Sequence, residues 1–158
     1  MQQLHPIPPV FDADSTVLIL GSFPSVKSRE SGFFYGHAQN RFWRVTAAVF
    51  GCPVPATTPE KRAFLLQNHV ALWDVIASCD IDGSSDASIR NAQPNDLAPL
   101  LAGSKITRIF TNGATADALY TRRQLPATGI PAVRLPSTSP ANAAWPLERL
   151  IDAWKIIR

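Results

Sequence analysis

Apolar residues along this 158-residue chain fall into short runs separated by polar loops, and the spacing within each run predicts its element. Thr16 to Leu20 (TVLIL) is a continuous branched run, the pattern of a strand covered on both faces. Gly21 and Pro24 stop it, and helical periodicity resumes only near Asn40, which leaves residues 21–40 as a long loop. RFWRVTAAVF then puts Phe42, Val45 and Val49 on one helical face, ended by Gly51-Cys52-Pro53. Thr58-Pro59-Glu60 reads as a helix start, a cap followed by a first-turn proline and an early acid, and that helix runs to about Gln67. Val70 to Ile76 reads as a second strand, and residues 78–95 as a polar loop too long to be a mere connection. Asp96 caps a short helix, LAPLLAG; Lys105 to Thr111 is a third strand; Asn112-Gly113 makes a turn before a helix over Ala114 to Arg123. Ala132 to Leu135 is a short fourth strand, followed by PSTSPAN. Pro146 to Ile157 is a closing helix with Leu147, Leu150, Ile151 and Trp154 on its apolar side.

Strands that alternate with helices require crossover connections, so the fold class is α/β: a three-layer α/β/α arrangement around a mostly parallel four-stranded sheet. Residues 1–158 are expected to form a single domain, with proline-rich residues 1–15 as an extended lead-in. Parallel strands bring the loops at 21–40, 77–95, 112–113 and 136–142 to one edge, the edge where open α/β sheets bind ligands. One composite site is therefore expected.

Composition narrows the chemistry. With 46% hydrophobic residues, a mean hydropathy of zero and no apolar run near the roughly 20 residues that cross a bilayer, no membrane partner is expected. The first fifteen residues lack signal-peptide regions, so a cytoplasmic location is expected; a monomer is expected as well. Cys52 and Cys79 make no CxxC and have no His at ligand spacing, which fits ordinary buried thiols, with no metal and no cofactor. A net charge of +3 permits a polyanionic partner without establishing one. The small basic concentrations at Lys27/Arg29, Arg41/Arg44 and Arg122/Arg123 read locally as solvated faces. There is no GxGxxG, Walker loop or GxSxG elbow.

The loop after the first strand carries Ser22, Phe23, Ser25, Phe34, Tyr35, His37 and Asn40. Aromatic rings beside amides suit something flat with polar edges, and a nucleobase is the first such candidate. Asn112 is either a turn asparagine or a base reader, since an amide offers a donor and an acceptor side by side. Tyr35 and Phe34 are core residues or stacking platforms. His37 reads as a structural hydrogen-bonder, and Asn40 either caps the following helix or orients a water. The hydroxyl-rich Ser137-Thr138-Ser139-Pro140, with Asn142, is a capping loop or a phosphate clamp. Asp74, inside the strand pattern, reads as a paired structural acid, with Asp80, Asp82 and Asp86 nearby in sequence. Trp43, Trp73 and Trp145 read as packing.

These residues resemble the uracil-DNA glycosylase superfamily. GSFPSVKSRESGFFYGHAQNRFWRV is similar, without a gap, to the first motif of the mismatch-specific uracil/thymine glycosylases, of the form GxNPG…GxxFxHPxNxFWK. FTNGA resembles the superfamily's strand-end asparagine, and LPSTSPAN its last, Ser-rich DNA-contacting loop. Phe23 stands where the mismatch-specific enzymes carry their catalytic Asn, a departure that argues against efficient uracil excision. GSFPS, HxxNRFW, LWDVIASC and TNGA together look most like the hypoxanthine-DNA glycosylase branch, which excises the deaminated adenine base from deoxyinosine. The resemblance implies a catalytic role for Asn40, base stacking on Tyr35, base reading by Asn112, and leaving-base stabilisation by amides near Ser22 and Phe23. It also implies DNA contacts at Ser137, Thr138, Ser139 and Asn142, with damaged DNA as the partner. No lysine is placed for a Schiff base, so a monofunctional enzyme is expected. The alternatives are a uracil or mismatch glycosylase, and a non-catalytic nucleic-acid-binding α/β domain.

Overall fold

The computed structural model describes residues 2–158. In chain order its elements are β1 (Gln2–Leu4), β2 (Val17–Gly21), α1 (Val26–Ser31), α2 (Phe42–Phe50), α3 (Thr58–Gln67), β3 (Val70–Asp74) and β4 (Ile76–Asp80). There follow β5 (Arg90–Pro94), α4 (Ala98–Ala102), β6 (Arg108–Asn112), α5 (Ala114–Arg123), α6 (Leu125–Thr128), β7 (Ala132–Leu135) and α7 (Leu147–Trp154). Strands β3-β2-β6-β7 form the parallel four-stranded sheet. Its register sets Gly21 opposite Asp74, Leu20 opposite Thr111, and Asn112 opposite Leu135. The strand ends thus share one edge, as the α/β reading requires.

Alternation along β2 splits the core in two. Val17 and Ile19 face a layer built on Phe42, Trp43, Val45, Val49, Phe64, Leu150 and Trp154 from α2, α3 and α7. Leu18 and Leu20 face the opposite layer, with Leu97, Leu100, Ile109, Ala116 and Tyr120. A strand buried on both faces reads as an unbroken apolar run, which is what TVLIL shows. Trp154 meets Phe42 edge-on at 5.8 Å and donates its indole N–H to the Pro136 carbonyl at 2.9 Å, fixing the chain just before the last polar loop.

Several local expectations are corrected. The stretch 78–95 is no irregular loop: β4 and β5 pair antiparallel, and β1 adds to β4, making a second, three-stranded sheet. Strand β5, RNAQP, carries no apolar alternation and pairs with two register shifts, so periodicity could not reveal it. The run Val70–Ile76 is two strands that part at Val75, whose N–H bonds the Gly21 carbonyl before the chain enters the other sheet. The extended lead-in contains β1, and Val10 bridges to Leu72. Within 21–40 lies the short helix α1, capped by Ser25, whose hydroxyl accepts from the Ser28 N–H. The cap of α3 is Thr57 rather than Thr58; Thr57 accepts from the Glu60 N–H, and the Glu60 carboxylate accepts in return from the Ala56 N–H. Among the described residues no helix is long and apolar enough to cross a membrane.

Candidate active site

A cleft of about 1010 Å³ opens over the carboxyl ends of the parallel strands. It is lined by Gly21 to Ser25, Tyr35, His37, Asn40, Asp74, Ser84 to Ala87, Asn112, Ser137 to Asn142 and Trp145. Every residue singled out for the composite site therefore reaches one cavity.

One wall is a chain of neutral side chains. Asn40 ends the loop and caps α2: its Oδ1 accepts from the Phe42 N–H at 2.9 Å. The same oxygen accepts from the Thr138 hydroxyl at 2.9 Å. Thr138, 0% exposed, accepts at that hydroxyl from Asn112 Nδ2 at 3.0 Å, and its own N–H donates to Asn112 Oδ1 at 3.1 Å. The second Asn112 N–H goes to the Tyr35 hydroxyl at 3.1 Å. Both amides are thereby oriented. Asn40 has its oxygen occupied and offers its NH2 to the cleft, while Asn112 keeps its oxygen turned to the Thr138 backbone and its donor side toward Tyr35. The capping reading of Asn40 and its cleft position coexist in one side chain.

Tyr35 is held in a strained conformation, with φ of +51°, a region costly for a bulky side chain. One face of its ring stacks on Phe42 at 4.1 Å, nearly parallel, and its hydroxyl is tied to Asn112. Burial pushes the phenol far above its ordinary pKa, and the nearby Asp74 charge pushes the same way, so it stays protonated.

The opposite wall is acidic. Ser22 donates to Asp86 Oδ1 at 2.8 Å. Although Asp86 is exposed at the rim, partial desolvation against the cleft raises its pKa; the Ser22 hydrogen bond opposes that rise, and the charge on Asp74 adds to it. Ser84 anchors this loop by accepting the Val26 N–H at 2.9 Å, and Arg29 donates to the Gly83 carbonyl. Asp74 is paired, as its place in the strand suggested, but with His5 of the lead-in, at 2.8 Å. Between the walls lies Gly21. A Cβ there would stand 2.4 Å from Asp74 Oδ1 and 3.0 Å from the Tyr35 hydroxyl.

The Ser-rich loop is shaped from within. Arg41 donates to the carbonyls of Ser139 at 3.2 Å and Asn142 at 3.1 Å, and also to that of Trp145. Arg41 is thus spent on the loop rather than on a solvated face. Asn142 donates to the Ser137 carbonyl at 3.0 Å, and the Ser137 hydroxyl accepts the Ser139 N–H at 3.1 Å. Gly113 lets this loop close on β6: its φ is +97°, and a Cβ would meet Ser137 at 3.2 Å. Phe23 lines the cleft but sinks its ring into the core at 8% exposure, against His5. His37 is the hydrogen-bonder expected of it, accepting the Gln39 N–H. The residues that sequence reasoning missed are His5 and Arg41, whose partners lie 69 and about a hundred positions away, beyond any local signal.

Comparison with known proteins shows the family to which this fold belongs. Residues 8–158 match the profile of the uracil DNA glycosylase superfamily. A hypoxanthine DNA glycosylase of Methanosarcina acetivorans is 34% identical over 137 residues, covering 85% of each chain. Another, from Methanosarcina barkeri, is 34% identical over 101 residues, 60% of this chain and 64% of that one. The solution NMR structure of a candidate uracil DNA glycosylase from Methanosarcina acetivorans superposes with a TM-score of 0.82 at 29% identity, covering 99% of both chains. The family expected from the motifs is the family found: this chain belongs to the uracil DNA glycosylase superfamily.

Proposed function

We propose that the chain is a monofunctional DNA glycosylase that releases hypoxanthine from deoxyinosine, meeting damaged DNA as a cytoplasmic monomer. The observation that carries this reading is the Asn40–Thr138–Asn112–Tyr35 network, which fixes two amides and one ring at the strand ends of a single cleft. The names of the two Methanosarcina relatives support the choice of base.

The damaged nucleotide swings out of the duplex at a cost of a few kcal/mol. Its base stacks on the face of Tyr35 that Phe42 leaves open, a contact worth about 1–3 kcal/mol. Asn112 donates to the exocyclic oxygen, which takes over the N–H now held by the Tyr35 hydroxyl. Adenine presents an amino group there, which leaves two donors face to face. The glycosidic bond breaks toward an oxocarbenium-like sugar, and the electron pair leaves with the base. Backbone N–H groups at Ser22 and Phe23 face that developing charge. Asn40, its oxygen occupied, holds the attacking water through its NH2 and contributes by placement rather than as a base. Ser137, Ser139 and Asn142 present the loop that takes the phosphates, while Thr138 works from inside. No lysine lines the cleft among the described residues, which supports hydrolysis without a Schiff base.

The test is base release from oligonucleotides carrying one deoxyinosine, deoxyuridine or deoxyxanthosine, revealed by alkali. Inosine strands are expected to break, and Asn40→Ala to slow them about 100-fold. Full activity in Asn40→Ala overturns its role. The NMR neighbour favours a second reading, uracil release, which the deoxyuridine arm decides. No cleavage of any strand makes the chain a binding domain.

A further inference from the structure

The network just described leaves one requirement of the base unmet. A hypoxanthine ring presents O6 as acceptor beside N1–H as donor, and Asn112 answers only the first, because its oxygen is turned to the Thr138 N–H. The nearest candidate acceptor lies across Gly21. Asp74 ends β3, opposite Gly21 in the register, and its side chain is 5% exposed. Its Oδ2 is held by His5, while its Oδ1 has no hydrogen-bond partner among the described residues and lies against Gly21, toward the Tyr35 hydroxyl. Such an oxygen, on a carboxylate that lines the cleft, is placed to accept from a donor that enters there.

His5 determines which oxygen is free. Its Nδ1 accepts the Ile7 N–H at 3.2 Å, so the ring proton sits on Nε2, which donates to Asp74 at 2.8 Å. The ring is wedged against Phe23, Phe34 and Trp73 and cannot turn without disturbing all three. We propose that Asp74 Oδ1 is the specificity-determining acceptor for the ring N–H of the extruded base, and that His5 is the positioning residue that aims it. The inference rests on the glycosylase reading above. It adds a second polar contact to the base edge, so that donor and acceptor are read by different strands on either side of a glycine.

The fixed His5 proton makes the proposal sharp. In Asp74→Asn, the amide oxygen must face His5 Nε2–H, which turns the NH2 toward the base and sets donor against donor. Removing His5 as well frees the amide to turn over and present its oxygen again. The experiment measures single-turnover base release by the full chain, with thermal melting of each variant alongside. Asp74→Asn is expected to slow deoxyinosine release about 100-fold. The double variant His5→Ala/Asp74→Asn is expected to recover at least about tenfold over Asp74→Asn, which a purely structural role of the pair would not produce. Wild-type protein supplies a check independent of folding: 1-deaza-2′-deoxyinosine keeps the outline of the base but lacks the N1–H, and its release is expected to fall by about 30-fold or more. Release from Asp74→Asn within twofold of wild type, or equal release of the deaza base, overturns the proposal while leaving the glycosylase reading intact. If wild type releases uracil instead, the same arms run on uracil, whose N3–H stands beside O4, and on 3-deazauracil. A wild-type chain that releases no base overturns both.

Discussion

The two walls of the cleft are built on opposite principles. On one side Asn40, Thr138, Asn112 and Tyr35 are neutral, and each is locked to the next through a buried hydroxyl. On the other, Asp74 and Asp86 are acids whose charges oppose each other, tied down by His5 and Ser22. The neutral wall gains rigidity without the desolvation cost of charge, and its amides hold one orientation. The acidic wall sets two like charges near each other beside the cleft, where a hydrogen-bond donor can be accepted. On the reading proposed above, the first wall places the base and reads its exocyclic oxygen, and the second reads its ring N–H.

Gly21 separates the walls, and filling it tests the division most severely. Gly21→Ala puts a methyl 2.4 Å from Asp74 Oδ1, so the acid or Tyr35 must move. Base release is expected to drop about 100-fold in single-turnover assays. Retention of wild-type rates would mean that the floor of the cleft takes no part.

Breaking the neutral wall from inside is the next largest effect. Thr138→Val keeps the shape and deletes the hydroxyl that joins Asn40 to Asn112. Urea unfolding should show a loss of about 1–3 kcal/mol, with release slowed about tenfold, whereas Thr138→Ser keeps both bonds and both properties. An unaltered rate in the valine variant would separate the network from function.

The smallest effect sharpens the acidic wall. Partial desolvation at the cleft rim raises the Asp86 pKa, so the folded chain holds that proton slightly more tightly than the unfolded one. Stability is therefore lost as pH rises from the ordinary carboxylate range, about 4, through the raised folded value. Asp86→Asn keeps the acceptor for Ser22 without the charge. Its melting temperature should match wild type at the acid end and exceed it slightly near neutrality. Parallel melting curves across that range would show that Asp86 costs the fold nothing.

What the sequence revealed follows the same contrast. The central strand was visible because a strand buried on both faces is an unbroken apolar run, as at Val17–Gly21, whereas the half-exposed edge strand β7 showed only as a short run before the Ser-rich loop. The neutral wall was visible because its aromatic and amide residues crowd into one loop and one strand end. Thr138 was read as part of an outward clamp, since a hydroxyl among Ser and Pro looks solvated, and only its two amide partners place it inside. The acids of the other wall were visible one by one, but the contacts that assemble them were not. Strand β5 shows no apolar alternation, and His5 sits among prolines, with nothing in its neighbourhood to announce Asp74.

The contacts that assemble the site reach far along the chain, and that has a consequence for how the protein is made. The bond from Thr138 to Asn40 spans 98 positions, and that from Asn112 to Tyr35 spans 77. At roughly 5–20 residues per second of synthesis, Asn40 waits about 5–20 s for its partner to be made. Until then its amide has only the local bond from the Phe42 N–H. The site is therefore complete only late, when the last polar loop closes over the strand ends.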